Sequence, residues 1–226
     1  MGSIHFRIYT SIVRPSPELV RQFAGIPVAN LSDNMGRIPC VDSSIRPFND
    51  VPLLGVAFTV RVAQGDNLMF HKALDMAAPG DVIVVDGEGN TAHSLCGEIM
   101  FTYAKSRGIA GFVVDGAIRD NRSLRDMDFP VYARAVQPNG PYKNGPGAIG
   151  VPVCIGGRVV RPGDIILGDA DGIVIIRPED AQETLEKGRS QYAMEQETFR
   201  QIAAGTYDRG WVDRALAEKG CEIIAE

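Results

Sequence analysis

The sequence predicts an α/β domain, and three observations carry that prediction. Two apolar runs, IVVD (Ile83 to Asp86) and FVVD (Phe112 to Asp115), each close in Asp-Gly and are separated by a helix-length segment, LCGEIMFTYAKSRG. Short buried runs bounded by glycine and joined through a helix are the pattern of a β-α-β unit. The stretch 151–177 then alternates short apolar runs with Gly-Gly, Pro-Gly-Asp and Asp-Gly turns, which reads as a block of short strands stacked as a second sheet. From Pro178 onward the pattern becomes helical and charge-rich. The expectation is one domain with its core at about 28–177 and a C-terminal helical extension over 178–226.

The elements follow in order. Ser16, Pro17 and Glu18 supply an N-cap, a proline for the first helical position and an acid for the first turn, ahead of LVRQFAG with Gly25 as the stop. VANLSDNMGR reads as a short turn ending at Gly36, and the Pro-bearing segment up to Pro52 as loop. Alternation over Val56 to Val62 predicts a strand. GDNLMFHKALDMAAPGD predicts a helix capped by Asp66, with Leu68, Met69, Ala73, Leu74 and Ala77 on its buried side and Pro79-Gly80 as terminator. After the β-α-β unit, SLRDMDFP predicts a short helix and VYARAV a strand. Gln137 to Gly150, dense in Gly and Pro, reads as a long loop, a kind that is often functional. A long helix through Ala181, Leu185 and Tyr192 to Ile202 stops at Ala204-Gly205, and WVDRALAEKG adds one more. A helix that extends beyond the core suits a neighbouring subunit.

Composition removes several classes. A chain of 226 residues with 45% apolar content can bury a sizeable core, and a net charge of −5 argues against a nucleic-acid partner. Cys40, Cys96, Cys154 and Cys221 lie far apart without a CxxC pair, which disfavours a zinc site or a disulfide framework and suits a reduced, cytoplasmic setting. The start MGSIHFRIYTSIV carries no signal-peptide core, Phe6 stands where a myristoylation signal wants Ser or Thr, and no segment suits a membrane span.

The chemistry concentrates at one end of the β-α-β unit, where ligands gather at strand carboxyl ends and helix N-termini. Arg119 offers a planar fork that matches a carboxylate, as a small keto acid would present. Asp120 beside it suits a hard cation such as Mg²⁺, which takes one or two protein carboxylates and keeps several waters. Glu98 lies 21 positions before Arg119 at a helix start, whose amides around Ile99 and Met100 can receive anionic oxygens. Each item alone has a plain reading: a solvated Arg-Asp pair, an acid at a helix start, Asp86 and Asp115 as turn residues, His71 packed or exposed within its helix. Their concurrence at one end of one unit points to a site that stabilises an enolate.

At these residues the chain resembles a known family. GDNLMFHKALDMAAPGDVIVVDG, CGEIMFTYAKSRGIAGFVVDGAIRD, DFPVYARAV and VRPGDIILGDADGIVII are similar to 4-hydroxy-4-methyl-2-oxoglutarate aldolases and the related regulators of ribonuclease activity, from about Val28 to the closing AEKG. The resemblance implies a three-layer β/β/α sandwich of the swivelling, phosphohistidine-domain type, in trimers or hexamers with sites at subunit boundaries. It implies a class II lyase that uses Mg²⁺ or Mn²⁺ to release pyruvate from a 4-hydroxy-2-oxo acid and also decarboxylates oxaloacetate. By position, Asp120 is similar to the metal-binding aspartate and Arg119 to the pyruvate-holding arginine. Glu98 falls where some members carry an aspartate that serves in proton transfer. Gly97, Ile99 and Met100 match the helix start that binds the pyruvate carboxylate. Glu195, with Glu197 in reserve, is the choice for an acid given by the C-terminal helix of the next subunit.

Other functions fit less well. GNTAHSLCGE superficially resembles a phosphohistidine turn at His93, but the chain lacks room for nucleotide-grasping partner domains. Lys72 and Lys105 lie in helical patterns with nothing to activate either for Schiff-base chemistry. No Gly-rich turn follows the first strand to cradle the cofactor of a methyltransferase. A non-catalytic regulator that acts by protein binding is the principal alternative to the enzyme.

Overall fold

In the computed structural model, which describes residues 6–37 and 40–224, the two Asp-Gly runs are neighbouring parallel strands. In chain order the elements are β1 (Phe6–Ile8), α1 (Pro17–Arg21), α2 (Val28–Asn34), β2 (Arg46–Pro47), β3 (Leu53–Val62) and α3 (Leu68–Met76). The central unit follows as β4 (Asp81–Cys96), α4 (Glu98–Ser106), β5 (Gly111–Ile118), α5 (Asn121–Arg125) and β6 (Val131–Val136). Then come β7 (Gly147–Ile149), β8 (Val153–Ile155), β9 (Arg158–Val160), β10 (Ile165–Asp169) and β11 (Gly172–Ile176). A 3₁₀ turn at Pro178–Asp180 leads to α6 (Ala181–Ala203) and α7 (Gly210–Glu218). The Met1–Gly2 start and part of the Pro-bearing segment lie outside the described residues.

The main sheet runs β1-β7-β3-β4-β5-β6-β2, with β3, β4, β5 and β6 parallel. Side chains alternate across it, as strand geometry requires. Phe58, Val60, Ile83, Val85, Phe112 and Val114 face α3 and α4, where Phe112 meets Phe70 and Phe129 edge-on at 5.0 and 4.9 Å. Ala57, Val82, Val84 and Val113 face the other way, onto Val153, Ile155, Val160, Ile166 and Ile173 of the short strands. A third cluster covers the outer side of β10 and β11 with α1, α2 and the first turns of α6. The result is the expected α/β layering of helices, parallel sheet and short strands.

Several local expectations change. The short strands are not a wholly separate sheet: β10 pairs antiparallel with the first half of β3, so β10 and β11 continue the main sheet, and β8–β9 alone stand apart among the described residues. β4 does not stop at Asp86. It continues irregularly to Cys96, the register against β5 slipping through Asn90↔Gly116, Ser94↔Ala117 and Cys96↔Ile118. VANLSDN is a helix rather than a turn, because its first amide, Val28 N, donates to Asp169 Oδ2 at 2.9 Å from 141 positions away. The α3 cap position is Asn67, not Asp66, and the end of the long loop forms β7. Ser16 caps α1 as expected, accepting from Leu19 N at 3.2 Å.

Asp86 and Asp115 are not turn residues but buried strand residues side by side in register. Asp86 Oδ2 accepts from Cys154 N at 3.0 Å, and Asp115 Oδ2 accepts from Gly156 N at 2.8 Å while Oδ1 accepts from Arg134 Nε. The two carboxylates thereby pin β8 and its turn against the central strands. Asp115→Ala would strand the Gly156 amide and the Arg134 cation, and is expected to cost about 3 kcal/mol in urea unfolding. A midpoint equal to wild type would show the pin to be dispensable.

The chain divides into two units, Met1–Gly188 and Arg189–Glu226. The division falls inside α6, where Ala181, Thr184, Leu185 and Gly188 are the buried residues. The second unit comprises the rest of α6 and α7, with Met194, Phe199, Ile202, Trp211 and Leu216 exposed. No helix among the described residues is long and apolar enough to cross a membrane.

Candidate active site

The carboxyl ends of β4 and β5 meet α4 and α5 at one small cleft. Arg119 N donates to Cys96 O at 2.9 Å, which carries the pairing of the two strands one step past the end of β5 and sets Arg119 beside Gly97. Asp120 is in the left-handed region at φ 59, a conformation that costs a non-glycine residue energy and that Asp tolerates better than most. Although it occupies the cap position of α5, its carboxylate does not cap that helix. Instead Asp120 Oδ2 accepts from Glu98 N at 3.0 Å and lies 3.7 Å from Arg119 Nε. Glu98 Oε2 in turn accepts from Ser123 Oγ at 2.8 Å, so the starts of α4 and α5 are tied together.

The cleft has a volume of about 200 Å³ and is lined by Arg119, Asp120, Gly97, Ile99 and Met100, with Ser94, Leu95 and Cys96 behind them. Asn67, His71, Pro141 and Lys143 complete the lining. A space this size suits a small acid rather than a nucleotide. Arg119 and Asp120 are 44% and 42% exposed, so both are reachable by a ligand. Of the helix-start amides, that of Met100 is not available: it already donates to Gly97 O at 2.9 Å. The amides of Gly97 and Ile99 remain as uncommitted donors among the described residues, at a positive helix end.

Two neighbours are tuned by this setting. Burial, and then the repulsion of Asp120 against the opposing pull of Arg119, push the Cys96 thiol well up, so it stays protonated and is no nucleophile. Burial and then the Lys143 ammonium hold His71 below the ordinary histidine range, with Asp75 opposing.

No cluster of three His, Cys, Asp or Glu side chains is assembled among the described residues. The donor set at the cleft therefore does not fit a caged ion such as structural zinc. It does fit Mg²⁺ or Mn²⁺ bound through one carboxylate and otherwise hydrated, since Asp120 is exposed and its Oδ1 takes part in no hydrogen bond among the described residues.

Glu195 and Glu197 lie on α6 in the second unit, and the lining of the cleft belongs to the first. Glu197 is engaged by Arg200 and Gln201 on its own helix, whereas Glu195 accepts from Gln191 Nε2 at 3.3 Å. His93 packs at a tilt against Tyr142, 5.0 Å between ring centres, and is not a lining residue. Sequence reasoning missed Asn67, His71 and Lys143. The spacing of Asn67 and His71, one helical turn apart, was the available signal, while nothing local gives the direction of Lys143.

Fold and cleft together define an α/β protein with a small cleft at the ends of its parallel strands, lined by Arg119 and Asp120. The comparisons place it more closely: residues 28–175 match the RraA-like, Aldolase/RraA family model, and the chain belongs to that family. A Halalkalibacterium halodurans protein named "Putative 4-hydroxy-4-methyl-2-oxoglutarate aldolase" is 39% identical over 203 residues, covering 89% of this chain and 95% of its own. Streptomyces coelicolor RraAS2, described as an unusual member of the RNase ES inhibitor RraA family, superposes with a TM-score of 0.75 at 27% identity, over 83% of this chain and 100% of its own. The RNA-processing inhibitor RraA of Thermus thermophilis gives 0.62 at 31% identity, over 66% and 92%.

Proposed function

We propose that the chain is a class II lyase that cleaves a 4-hydroxy-2-oxo acid, such as 4-hydroxy-4-methyl-2-oxoglutarate or 4-carboxy-4-hydroxy-2-oxoadipate, to pyruvate and a second oxo acid. The observation that carries this reading is the seating of Arg119 and Asp120 in one cleft against the start of α4, with Asp120 Oδ2 3.0 Å from the backbone N of Glu98, whose carboxylate is bonded to Ser123 and is not part of the cleft lining. The name of the Halalkalibacterium relative supports it.

A divalent cation held by Asp120 would supply Lewis acidity to the keto and carboxylate oxygens of the pyruvyl end. The amides of Gly97 and Ile99 bind that carboxylate, and Arg119 places its fork beside the same oxygens. Glu98 serves in removing the proton of the 4-hydroxyl. The C3–C4 bond then breaks, its electron pair forms the enolate of pyruvate, and protonation at C3 completes the product. Charge builds up on the enolate oxygen during bond breaking, so a fixed guanidinium there stabilises the transition state more than the substrate. Oxaloacetate decarboxylation passes through the same enolate and is the expected side activity. Glu195 would be supplied by a neighbouring copy in a trimer or hexamer. Its lighter engagement favours it over Glu197.

Pyruvate release from the two hydroxy acids and oxaloacetate should cease in EDTA and return with Mg²⁺ or Mn²⁺, and Asp120→Asn should demand far more metal. Turnover that survives both EDTA and Asp120→Ala would remove the metal from the account.

The alternative, a cytoplasmic regulator that acts by binding a protein, is favoured by the names of the Streptomyces and Thermus relatives. Calorimetric titration of Mg²⁺ with pyruvate or oxalate separates the two, because a pure binding protein has no reason to take up metal and oxo acid together.

A further inference from the structure

Part of the cleft lining comes from two stretches that carry none of the reacting groups. Asn67 and His71 stand at the start of α3, and Pro141 and Lys143 in the segment between β6 and β7, far away in the chain. One buried carboxylate fastens the two stretches together. Asp66, 3% exposed, accepts through Oδ1 from Leu68 N at 2.9 Å, and through Oδ2 from Asn144 N at 2.5 Å and Gly145 N at 3.0 Å.

Leu68 is the first residue of α3, and its amide has no partner within the helix. Asn67, at the cap position, makes no side-chain cap, so the carboxylate of Asp66 supplies the missing acceptor. Beside it the two backbones are laced together: Tyr142 N donates to Gly65 O at 2.8 Å, and Asn67 N donates to Tyr142 O at 3.0 Å. Asp66 is not a lining residue, and among the described residues it forms no hydrogen bond with Glu98, Arg119 or Asp120. Its three partners are all backbone amides.

Asn67 shows why this placement matters to a ligand. It is 2% exposed and lines the cleft, its Nδ2 donates to Leu95 O at 2.8 Å, and its Oδ1 has no partner among the described residues. A buried acceptor left open beside a cavity is costly unless a ligand or a bound water completes it. The facing segment, with Gly140, Pro141, Gly145 and Pro146, has no helix or strand of its own before β7. Removing the carboxylate would deprive three amides of their acceptor at once. The segment would then have to be ordered at the moment of binding, which weakens binding without changing the chemistry.

We propose that Asp66 is a positioning residue of the cleft, acting through Asn67 and through the backbone of residues 141–145 to hold that part of the lining ready for a ligand. This rests on the lyase reading and goes beyond it, since Asp66 meets neither substrate nor metal.

The test compares initial rates on 4-hydroxy-4-methyl-2-oxoglutarate for the wild type, Asp66→Ala and Asp66→Asn, each well below its thermal midpoint. Asp66→Ala should raise KM about tenfold or more and leave kcat within about threefold, because Arg119, Asp120 and Glu98 keep their own supports. Asp66→Asn retains one acceptor oxygen, so its KM should lie between the two. Asp115→Ala is the comparison, since it takes a buried carboxylate from the amide of Gly156 in the second layer, away from the cleft lining. A merely structural role lowers the folded fraction, so the midpoint and the kcat per total protein fall while KM stays. Asp115→Ala should show that pattern. An unchanged KM in Asp66→Ala overturns the proposal, and so does an equal rise of KM in Asp115→Ala. If Asp66→Ala does not fold, Asp66→Asn is judged by the same criteria. If the wild type cleaves no hydroxy acid, the lyase reading fails, and hydrogen exchange still decides the role of Asp66: amides of 67–71 and 141–145 should exchange about tenfold faster or more in Asp66→Asn, with those of 97–106 unchanged. Equal protection of all three segments in wild type and variant overturns it there.

Discussion

Arg119→Ala is expected to lower kcat/KM for pyruvate release by about 10³-fold, close to the upper range for deleting one preorganised donor from a transition-state site. The thermal midpoint should not move. The guanidinium is 44% exposed and its ion pair with Asp120, at 3.7 Å, contributes little to folding. Its worth lies in the enolate, where charge appears during bond breaking. The loss should therefore fall mainly on kcat, with a smaller rise in KM from the pyruvyl carboxylate. Arg119→Lys keeps the charge but gives up the planar fork, so recovery should be partial. Wild-type kcat in Arg119→Ala would remove the guanidinium from the chemistry and leave the Arg-Asp pair as an ordinary surface pair.

The parts of this site that could be read in the sequence are those whose cause is local. Asp86-Gly87 and Asp115-Gly116 end apolar runs, and the intervening segment has helical length, so the β-α-β unit and the place of Glu98, Arg119 and Asp120 follow from neighbours in the chain. What escaped depends on distant partners. The α2 segment reads locally as a turn, because the cap on its first amide comes from Asp169, which no local pattern reveals. Asp86 and Asp115 carry the turn signature, yet their carboxylates reach Cys154 and Gly156 in the second layer. Lys143 escapes for the same reason: the backbone that follows it is held by the hydrogen bonds of Asn144 and Gly145 to Asp66, 78 and 79 positions away. Met100 is the reverse case. Its position at the helix start was right, but the tight first turn consumes its amide on Gly97 O.

Gly97→Ala should cost about 10²-fold or more in kcat/KM, on the scale of misplacing a catalytic group by an ångström. Conformational freedom is not the reason, because φ at Gly97 is −160°, extended backbone that any residue adopts. Space is. A Cβ there would overlap Asp120 Oδ2 and lie 2.9 Å from Arg119 Cγ and 3.2 Å from its Nε. Two relaxations are open. Either the Arg119 and Asp120 side chains swing away from the cleft, or Gly97 retreats and takes with it the amide of Glu98 that holds Asp120 at 3.0 Å. The first separates guanidinium from carboxylate; the second displaces the uncommitted amides of Gly97 and Ile99. Both weaken apparent Mg²⁺ affinity along with turnover, and a metal titration of the variant should show it. Gly140→Ala is the control, since a Cβ there would meet Arg119 Nη1 at 3.4 Å, at the edge of ordinary contact and at the far end of a flexible side chain. It should leave the metal titration close to wild type. If Gly97→Ala behaved like Gly140→Ala, the close seating of Asp120 and Arg119 against the start of α4 would have no bearing on catalysis, and the metal-binding and pyruvate-holding roles assigned to them would have to be sought elsewhere on the cleft wall.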